Sequence, residues 1–238
     1  AAIKDIVTCA YNPSETVATN VIGIQNTLHA AMENNVCKVL VISSDKATNA
    51  ISIYGASKKM AEGLAVGYNS QSSYTRSAAA RYGNVLGSSG SVVPLFREQA
   101  KVGVLTVTHP KMTRFWFRIE DAAKYLMNCL YSMEGGEIYV PHLSASTIID
   151  LAHAVAPDAE IKLVGIRSGE KISEVMIADQ ESRNTVDQGW TYLIVPDYHP
   201  WDAEAKWSGT PVVEGWQYSS ASAVRLSIDE LRELCKSA

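Results

Sequence analysis

The fold is decided by residues 38–59, whose sequence is KVLVISSDKATNAISIYGASKK. Residues 39–42 form a continuous apolar run, which is typical of a strand buried on both faces of a parallel sheet. The polar residues 43–46 follow at the carboxyl end of this strand, the edge where open α/β sheets bind ligands. Tyr54 and Lys58 come next, four residues apart in a helical pattern, so both lie on one helix face. We therefore predict that the tyrosine and the lysine point together at the end of the strand.

This pairing has a chemical reason. A tyrosine hydroxyl has an ordinary pKa of about 10, so it is a poor base at neutral pH. A neighbouring ammonium favours the phenolate, and we expect Lys58 to lower the pKa of Tyr54. Ser44 is placed to hydrogen-bond the same substrate hydroxyl. A bare Tyr-x-x-x-Lys spacing also arises by chance on helices, but the strand and the polar cluster ahead of it favour a catalytic interpretation.

These residues carry a resemblance to a known family. Ser44, Tyr54 and Lys58 match the Ser/Thr and Tyr-x-x-x-Lys signature of the extended short-chain dehydrogenase/reductases. The string SSDKATN ahead of YGASK resembles one branch, the inverting UDP-N-acetylglucosamine 4,6-dehydratases, which are grouped with CapD-like polysaccharide biosynthesis proteins. Four further motifs follow in the same order, RYGNVLG at 81–87, MTRFW at 112–116, GIRSGEK at 165–171 and EGWQYSS at 214–220. The resemblance therefore covers nearly the whole chain.

The resemblance implies an α/β fold, with a partial doubly wound (Rossmann-like) parallel sheet and a smaller C-terminal substrate-binding region. We predict that residues 1–107 form the C-terminal part of a Rossmann-like NAD(P)-binding domain with the catalytic motif. Residues 108–238 then form the nucleotide-sugar-binding region and an aromatic-rich tail, with some strands and helices returning to the first domain. A strand and a Gly-x-Gly-x-x-Gly turn should open such a domain, and the sequence has none. We expect a fragment of a longer reading frame, or a second chain that supplies the missing half, and weak NADP binding by this chain alone.

The resemblance also implies a reaction. Tyr54, supported by Ser44 and Lys58, accepts the proton of the sugar C4 hydroxyl while hydride passes to NADP. The new ketone makes the C5 hydrogen acidic, water leaves from C6, and the hydride returns there with inversion at C5. Elimination needs a base and an acid, and Lys46 and Asp45 are the candidates. These roles require a neutral Lys46 and a protonated Asp45 part of the time, which burial in a closed site would favour.

Binding residues follow from the same motifs. The cofactor, NADP or NAD, is expected against Tyr54, Lys58 and Tyr82. The UDP-sugar substrate is expected against Asn84, Ser91, Arg167 and Glu170. Arginine offers a planar fork for phosphate and glutamate accepts bonds from vicinal hydroxyls, which suits a nucleoside diphosphate. The family differs from this chain by an arginine where Ser88 or Ser89 stands and commonly by a histidine where Ser173 stands.

Composition restricts the class of protein. A formal net charge of −4 offers no basic surface, so we expect no nucleic-acid partner. The four cysteines lack any Cys-x-x-Cys spacing, which predicts reduced, buried thiols in a cytosolic protein and no structural metal. No apolar run approaches the length of a membrane span. We expect a cytoplasmic protein without membrane contact that forms a homo-oligomer.

Periodicity predicts the remaining elements. Apolar spacing predicts one helix from Pro13 to about Asn34. The resemblance implies that an asparagine near Asn20 helps to order the active site, but the default expectation for a helical Asn20 is exposure to solvent. The other predicted helices are 120–133, 146–155 and 227–235, the last opening with a capping box. The other predicted strands are 74–82, 104–107, 137–140 and 161–166. Residues 179–223 hold four of the five tryptophans and are predicted to be an irregular tail packed on the body or on another subunit.

Two other functions stay open at this point. A UDP-sugar 4-epimerase shares the Ser, Tyr and Lys but needs no elimination pair, so Asp45 and Lys46 discriminate between the two enzymes. The chain is alternatively a non-catalytic remnant or a binding subunit, because the glycine-rich half is missing.

Overall fold

The computed structural model describes residues 2–88, 90–199, 201 and 207–236. Its α-helices are α1 (Ile6–Tyr11), α2 (Pro13–Val17), α3 (Gly23–Glu33), α4 (Ile53–Gly67), α5 (Val92–Ala100), α6 (Ile119–Ser132), α7 (Ile148–Val155) and α8 (Ile228–Lys236). A π-helix covers Ala18–Ile22, and short 3₁₀ helices cover Asp45–Ala47, Tyr68–Gln71 and Asp179–Asn184.

The strands are short. They are β1 (Lys38–Ile42), β2 (Arg76–Ala80), β3 (Asn84–Val85), β4 (Val104–Val107), β5 (Thr113–Phe117), β6 (Ile138–Pro141), β7 (Ala145–Thr147), β8 (Glu160–Leu163), β9 (Val175–Ile177), β10 (Thr185–Asp187), β11 (Thr191–Ile194), β12 (Thr210–Pro211) and β13 (Tyr218–Ser219).

The chain divides into two compact units. The first comprises Ala1–Tyr82, Tyr125–His142 and Val175–Gln217, and the second comprises Gly83–Lys124, Leu143–Glu174 and Tyr218–Ala238. The division into domains 1–107 and 108–238 stays a prediction, and residues 83–107 belong to the second compact unit.

The first unit is built on a six-stranded sheet in the order β1-β2-β6-β11-β10-β12. β1, β2 and β6 are parallel neighbours, whereas β11, β10 and β12 extend the sheet antiparallel. The buried alanines of β2 leave room for α4 to pack closely against the strand. On α4 itself, Ala61 and Ala65 are fully buried. The predicted parallel α/β arrangement is therefore present, and it aligns the carboxyl ends of β1 and β2.

The second unit has smaller sheets. β3 and β5 are parallel, β5 and β7 are antiparallel, and β4 and β8 are parallel. Its core packs α5, α7 and α8 around these strands, with Phe96, Leu105, Leu151 and Leu231 fully buried. The capping box is confirmed, because Ser227 and Glu230 exchange hydrogen bonds at the start of α8.

Three sequence predictions were wrong in detail. The predicted helix 146–155 begins only at Ile148, because Ala145–Thr147 pairs with β5 as a strand. The predicted strand 161–166 is β8, which ends at Leu163. The predicted irregular tail contains β10, β11 and β12, whose backbone groups pair with the sheet. Long-range pairing of short strands leaves little periodicity for the sequence to reveal.

All four cysteines are free, and Cys9, Cys129 and Cys235 are buried as predicted, but Cys37 is exposed. No helix within the described residues combines the length and the apolar character that crossing a membrane requires. Within the same residues, no group of three or more His, Cys, Asp or Glu side chains could hold a metal ion.

Candidate active site

The carboxyl end of β1 is held against the carboxyl end of β2. The backbone N–H of Ser43 donates to the Ala80 carbonyl at 2.7 Å, and that of Asp45 donates to the Tyr82 carbonyl at 3.1 Å. Ser44 then caps the 3₁₀ turn by accepting from the Lys46 N–H at 3.3 Å. These bonds place three polar side chains in a row at the strand end.

Helix α4 begins close to this turn. Ser52 caps it by accepting from the Gly55 N–H at 3.1 Å. A Cβ at Gly55 would collide with the Lys46 carbonyl oxygen, so only glycine allows the helix to approach so closely. The neighbouring Tyr54 is consequently buried, and its hydroxyl hydrogen-bonds Ser44.

The pKa of Tyr54 differs from the prediction. Burial is the largest influence and raises the pKa above its ordinary value, and the negative charge of Asp45 adds to this. Lys46 and the hydrogen bond with Ser44 lower it, but they do not outweigh burial. The predicted lowering was therefore wrong for this structure, and Lys46 rather than Lys58 is the cation that favours the phenolate.

Lys58 lies on the same face of α4 and is buried. Its ammonium donates to the Ile42 carbonyl at 2.8 Å, at the last residue of β1. Burial lowers the pKa of Lys58, while the carboxylate of Glu62 raises it. The structure thus places both residues of the Tyr-x-x-x-Lys motif at the strand end, through different contacts.

Asp45 and Lys46 form an ion pair, with 3.0 Å between Lys46 Nζ and Asp45 Oδ1. The same Oδ1 accepts a hydrogen bond from Ser44 at 2.9 Å. The Asp45 side chain is fully buried, and its Oδ2 has no hydrogen-bond partner within the described residues. A buried carboxylate oxygen without a partner is costly, which is typical of a group reserved for a ligand or a reaction.

Asn20 was expected to be exposed, and this was wrong, because it is only 1% exposed. The π-helix turns its amide inward, where Nδ2 donates to Ser57 Oγ at 3.0 Å and to the Ile3 carbonyl at 2.9 Å. Ser57 in turn donates to the Tyr54 carbonyl at 2.7 Å. Asn20 therefore anchors the first turn of the helix that carries Tyr54.

Arg81, the first residue of the RYGNVLG motif, was given no role by sequence reasoning. It is fully buried and donates to both carboxylate oxygens of Glu62, at 2.7 and 2.9 Å, and to Glu181 at 2.7 and 2.8 Å. Glu62 Oε1 also accepts from the Ser43 hydroxyl at 2.6 Å. This network ties α4 to the ends of β1 and β2, beside half-buried Tyr82, whose pKa burial raises. In the sequence, the one sign of this network is that Glu62 follows Lys58 by four residues and so lies on the same face of α4.

Two of the predicted substrate residues in the second unit have buried atoms without partners. The side-chain oxygens of Asn84 and Ser91 are buried and accept or donate no hydrogen bond among the described residues. Ser91 precedes α5 but does not cap it with its side chain. Buried polar atoms without partners among the described residues are available to a ligand.

Arg167 and Glu170 lie in one turn after β8. Arg167 is exposed, and its backbone N–H donates to Glu170 Oε2 at 3.2 Å, so the carboxylate braces the turn. Ser173, where the family commonly has histidine, accepts a hydrogen bond from Thr113 at 3.2 Å. Ser89, one position of the arginine difference, lies outside the described residues.

Comparison with known families decides the relationship. The model of the family described as "Polysaccharide biosynthesis protein" matches residues 1–196. The chain belongs to this family. The resemblance stated from the sequence is thereby confirmed.

Curated relatives and a solved structure agree with this membership. The chain is 40% identical over 231 residues to a protein of Campylobacter jejuni named UDP-N-acetylglucosamine 4,6-dehydratase (inverting), covering 92% of this chain and 69% of the relative. It is 36% identical over 248 residues to a Rickettsia canadensis protein named UDP-glucose 4-epimerase, covering 98% of this chain and 71% of the relative. The structure of Pen from Bacillus thuringiensis matches with a TM-score of 0.87 and 30% identity, covering 98% of this chain and 72% of that one. The predicted α/β, Rossmann-like fold class is confirmed.

Proposed function

We propose that this chain carries the catalytic and substrate-binding residues of an inverting UDP-N-acetylglucosamine 4,6-dehydratase for surface polysaccharide biosynthesis. The observation that carries the proposal is the Asp45–Lys46 ion pair beside the Ser44–Tyr54 hydrogen bond. A C4 oxidation alone needs only the serine, tyrosine and lysine, whereas removal of water needs a further acid and base. The 40% identity to the Campylobacter jejuni protein supports the same reaction.

In the first step, Tyr54 takes the proton of the C4 hydroxyl. Burial raises the pKa of Tyr54, so forming the phenolate requires a cation close by. Lys46 already acts in that direction, and Ser44 orients the phenol oxygen by hydrogen bonding. A nicotinamide cofactor, NADP or NAD, supplies the hydride acceptor when bound, and Tyr54, Lys58 and Tyr82 would hold it.

The residues fit such a cofactor. Lys58 spends one of its three N–H donors on the Ile42 carbonyl, and the others suit ribose hydroxyls. Its ammonium is buried at the carboxyl end of a parallel strand, where doubly wound sheets bind dinucleotides.

In the elimination step, Lys46 removes the C5 proton and Asp45 protonates the leaving C6 hydroxyl. In the ion pair Lys46 is an ammonium and Asp45 is a carboxylate, which is the reverse of what this step needs. Transfer of one proton along the 3.0 Å contact from Lys46 Nζ to Asp45 Oδ1 gives the neutral amine and the carboxylic acid that the step needs. After the step the proton taken from C5 is on Lys46 and the proton of Asp45 is in the released water, so the ion pair is restored. C5 receives a new proton from solvent on its opposite face, and the proton held by Tyr54 returns to solvent.

The substrate is proposed to be a UDP-sugar. Asn84 and Ser91 have buried side-chain oxygens ready for sugar or phosphate groups, and Arg167 presents its guanidinium at an exposed turn. The chain itself is proposed to work in the cytoplasm as part of a homo-oligomer. Four free cysteines suit a reducing compartment.

The experiment supplies UDP-N-acetylglucosamine and NADP, in deuterated water, to the enzyme that contains this chain. The parent should form a 4-keto-6-deoxy sugar with deuterium at C5, observed by NMR. Replacing Lys46 by Met should stop deuterium incorporation at C5 but leave C4 oxidation possible, whereas Tyr54→Phe should abolish both. A Lys46→Met protein that exchanges C5 and forms product at the parent rate would contradict the base assignment.

A second candidate is a UDP-sugar 4-epimerase, which the 36% identity to the Rickettsia canadensis protein favours. This enzyme would interconvert C4 isomers without a 6-deoxy product. Under that function Lys46→Met should leave interconversion largely intact, so the same assay separates the two reactions.

A further inference from the structure

The MTRFW motif contains a buried arginine in the second unit. Arg114 lies in β5 and is 7% exposed. Its guanidinium donates to the carbonyl oxygens of Lys171 at 2.9 Å, Thr113 at 2.7 Å and Ile172 at 3.3 Å. Its Nε lies 3.6 Å from Glu174 Oε1. A buried cation is thus directed at the backbone that follows the Arg167–Glu170 turn.

That backbone has no regular structure of its own. Residues 171–174 form neither helix nor strand. Their hydrogen bonds go to β5 and to Ser220, because the Thr113 N–H donates to the Ile172 carbonyl at 2.8 Å and the Glu174 N–H donates to Ser220 Oγ at 2.9 Å. The fold of this segment therefore depends on side chains from elsewhere in the unit.

The turn itself has two ends. At its start, the Val164 N–H continues the ladder of β8 by donating to the Val107 carbonyl at 2.9 Å. Gly165 and Gly169 have φ angles of 86° and 80°, in the region open to glycine. The end of the turn is held by Arg114. A turn with two glycines is better ordered when both ends are fixed, and Arg114 helps to fix the second end together with the Thr113–Ile172 backbone hydrogen bond.

We propose that Arg114 is a positioning residue for nucleoside diphosphate binding, acting through the Arg167–Glu170 turn. The proposal rests on the proposed role of Arg167 and Glu170 in holding UDP. A preordered turn binds phosphate more tightly, because the cost of ordering it is met by folding and not by binding. Lysine cannot replace the arginine, since a planar fork with five donors reaches three carbonyls and an ammonium does not.

The test is calorimetric titration of this chain with UDP. Arg114→Lys keeps the charge but loses one or two of the carbonyl contacts, so UDP affinity should fall about 10-fold. Arg225→Gln is the control, because it removes an exposed guanidinium of the same unit whose hydrogen bond among the described residues is to the nearby Ala221 carbonyl. It should bind UDP like the parent.

A double variant separates positioning from general stability. If Arg114 acts through Arg167, Arg114→Lys should cost little further affinity in an Arg167→Ala background. Amide hydrogen exchange should also rise in residues 165–173 of Arg114→Lys, measured without ligand. Equal UDP binding by Arg114→Lys and the parent, or fully additive losses in the double variant, would overturn the proposal.

Failure of the proposed function looks different. If the parent does not bind UDP, or if Arg167→Ala binds it unchanged, the substrate assignment is wrong. Hydrogen exchange then tests only whether Arg114 orders the Arg167–Glu170 turn. Unchanged exchange in residues 165–173 of Arg114→Lys would overturn that part of the proposal. If Arg114→Lys does not fold, Ser220→Ala removes the hydroxyl that accepts from the Glu174 N–H and also hydrogen-bonds Thr113, so it loosens the same segment and should weaken UDP binding about 3-fold. Unchanged binding by that variant overturns the proposal as well.

Discussion

This protein contains two Arg–Glu combinations, of which one is buried in the fold and the other lies at an exposed turn. In the first unit, Arg81 is fully buried and each of its carboxylate partners, Glu62 and Glu181, takes two hydrogen bonds from it. In the second unit, Arg167 is exposed, and Glu170 contacts its backbone N–H. The first guanidinium is committed to the fold, whereas the second faces solvent.

The difference shows that residue type alone does not identify a binding arginine. Burial lowers the pKa of Arg81, but the two carboxylates outweigh it and hold the pKa above its ordinary value. An arginine so fully satisfied has no donors left for a substrate. The guanidinium of Arg167, at an exposed turn, remains available to a ligand. A second buried arginine, Arg114, supports this turn by donating to the carbonyls of Lys171 and Ile172.

The largest expected effect is on stability in the first unit. Arg81→Met leaves buried Glu62 and partly buried Glu181 with only the half-exposed Lys59 as a cation, so the free energy of unfolding should fall by about 3–5 kcal/mol. Urea denaturation followed by circular dichroism measures this. Arg167→Met is the matched control and should change stability by less than about 0.5 kcal/mol. Similar losses for both variants would contradict the contrast between the two sites.

A pH dependence should accompany the buried network. Burial raises the pKa of Glu181, but Arg81 and Lys59 lower it to about 2 in the folded chain. An unfolded glutamate has a pKa of about 4.3, so Glu181 contributes about 2–3 kcal/mol at neutral pH. Because the folded pKa is the lower one, this stability is present above about pH 4.3 and is lost as the pH falls towards about 2. Glu181→Gln should therefore flatten the decline of unfolding free energy between about pH 5 and pH 2. An unchanged decline would show that Glu181 is not held by Arg81.

At the exposed turn the expected effect is on binding. Arg167→Ala removes a charge-assisted contact worth about 1.5–3 kcal/mol, so UDP affinity should fall about 10- to 150-fold. Thermal unfolding of the unliganded chain should be unchanged, in contrast to Arg81→Met. Calorimetry with Arg225→Gln as the control checks that net charge is not the cause. Equal UDP affinity of Arg167→Ala and the parent would contradict the assignment.

The smallest expected effect concerns the approach of α4 to the strand end. Gly55→Ala places a methyl group against the Lys46 carbonyl, which should cost about 1–3 kcal/mol of stability as the helix shifts. Gly63→Ala is the control on the same helix, because a Cβ there meets nothing within 4 Å. It should be neutral or slightly stabilising, since alanine is the better helix former. A Gly55→Ala variant as stable as Gly63→Ala would show that this close approach is not required.

Much of the candidate site was accessible from the sequence because it depends on short spacings. An apolar run followed by polar residues predicted β1 and its ligand-binding end, and a four-residue spacing placed Tyr54 and Lys58 on one face. The capping box at Ser227 was predicted in the same way. These features involve neighbours in the chain, whose geometry a helix or a strand dictates.

Only the tertiary structure decided which groups surround those residues. Glu181 reaches Arg81 across 100 positions, and Asn20 reaches Ser57 across 37. No local periodicity encodes such contacts, so Arg81 had no predicted role and Asn20 was wrongly expected to be exposed. The same holds for the cation beside Tyr54. The sequence by itself determined that a tyrosine and a lysine share a helix face. Burial and the fold of the 3₁₀ turn made Lys46 the cation that lowers the pKa of the Tyr54 phenol. The reason is that electrostatic effects depend on distance and desolvation in space and not on separation along the chain.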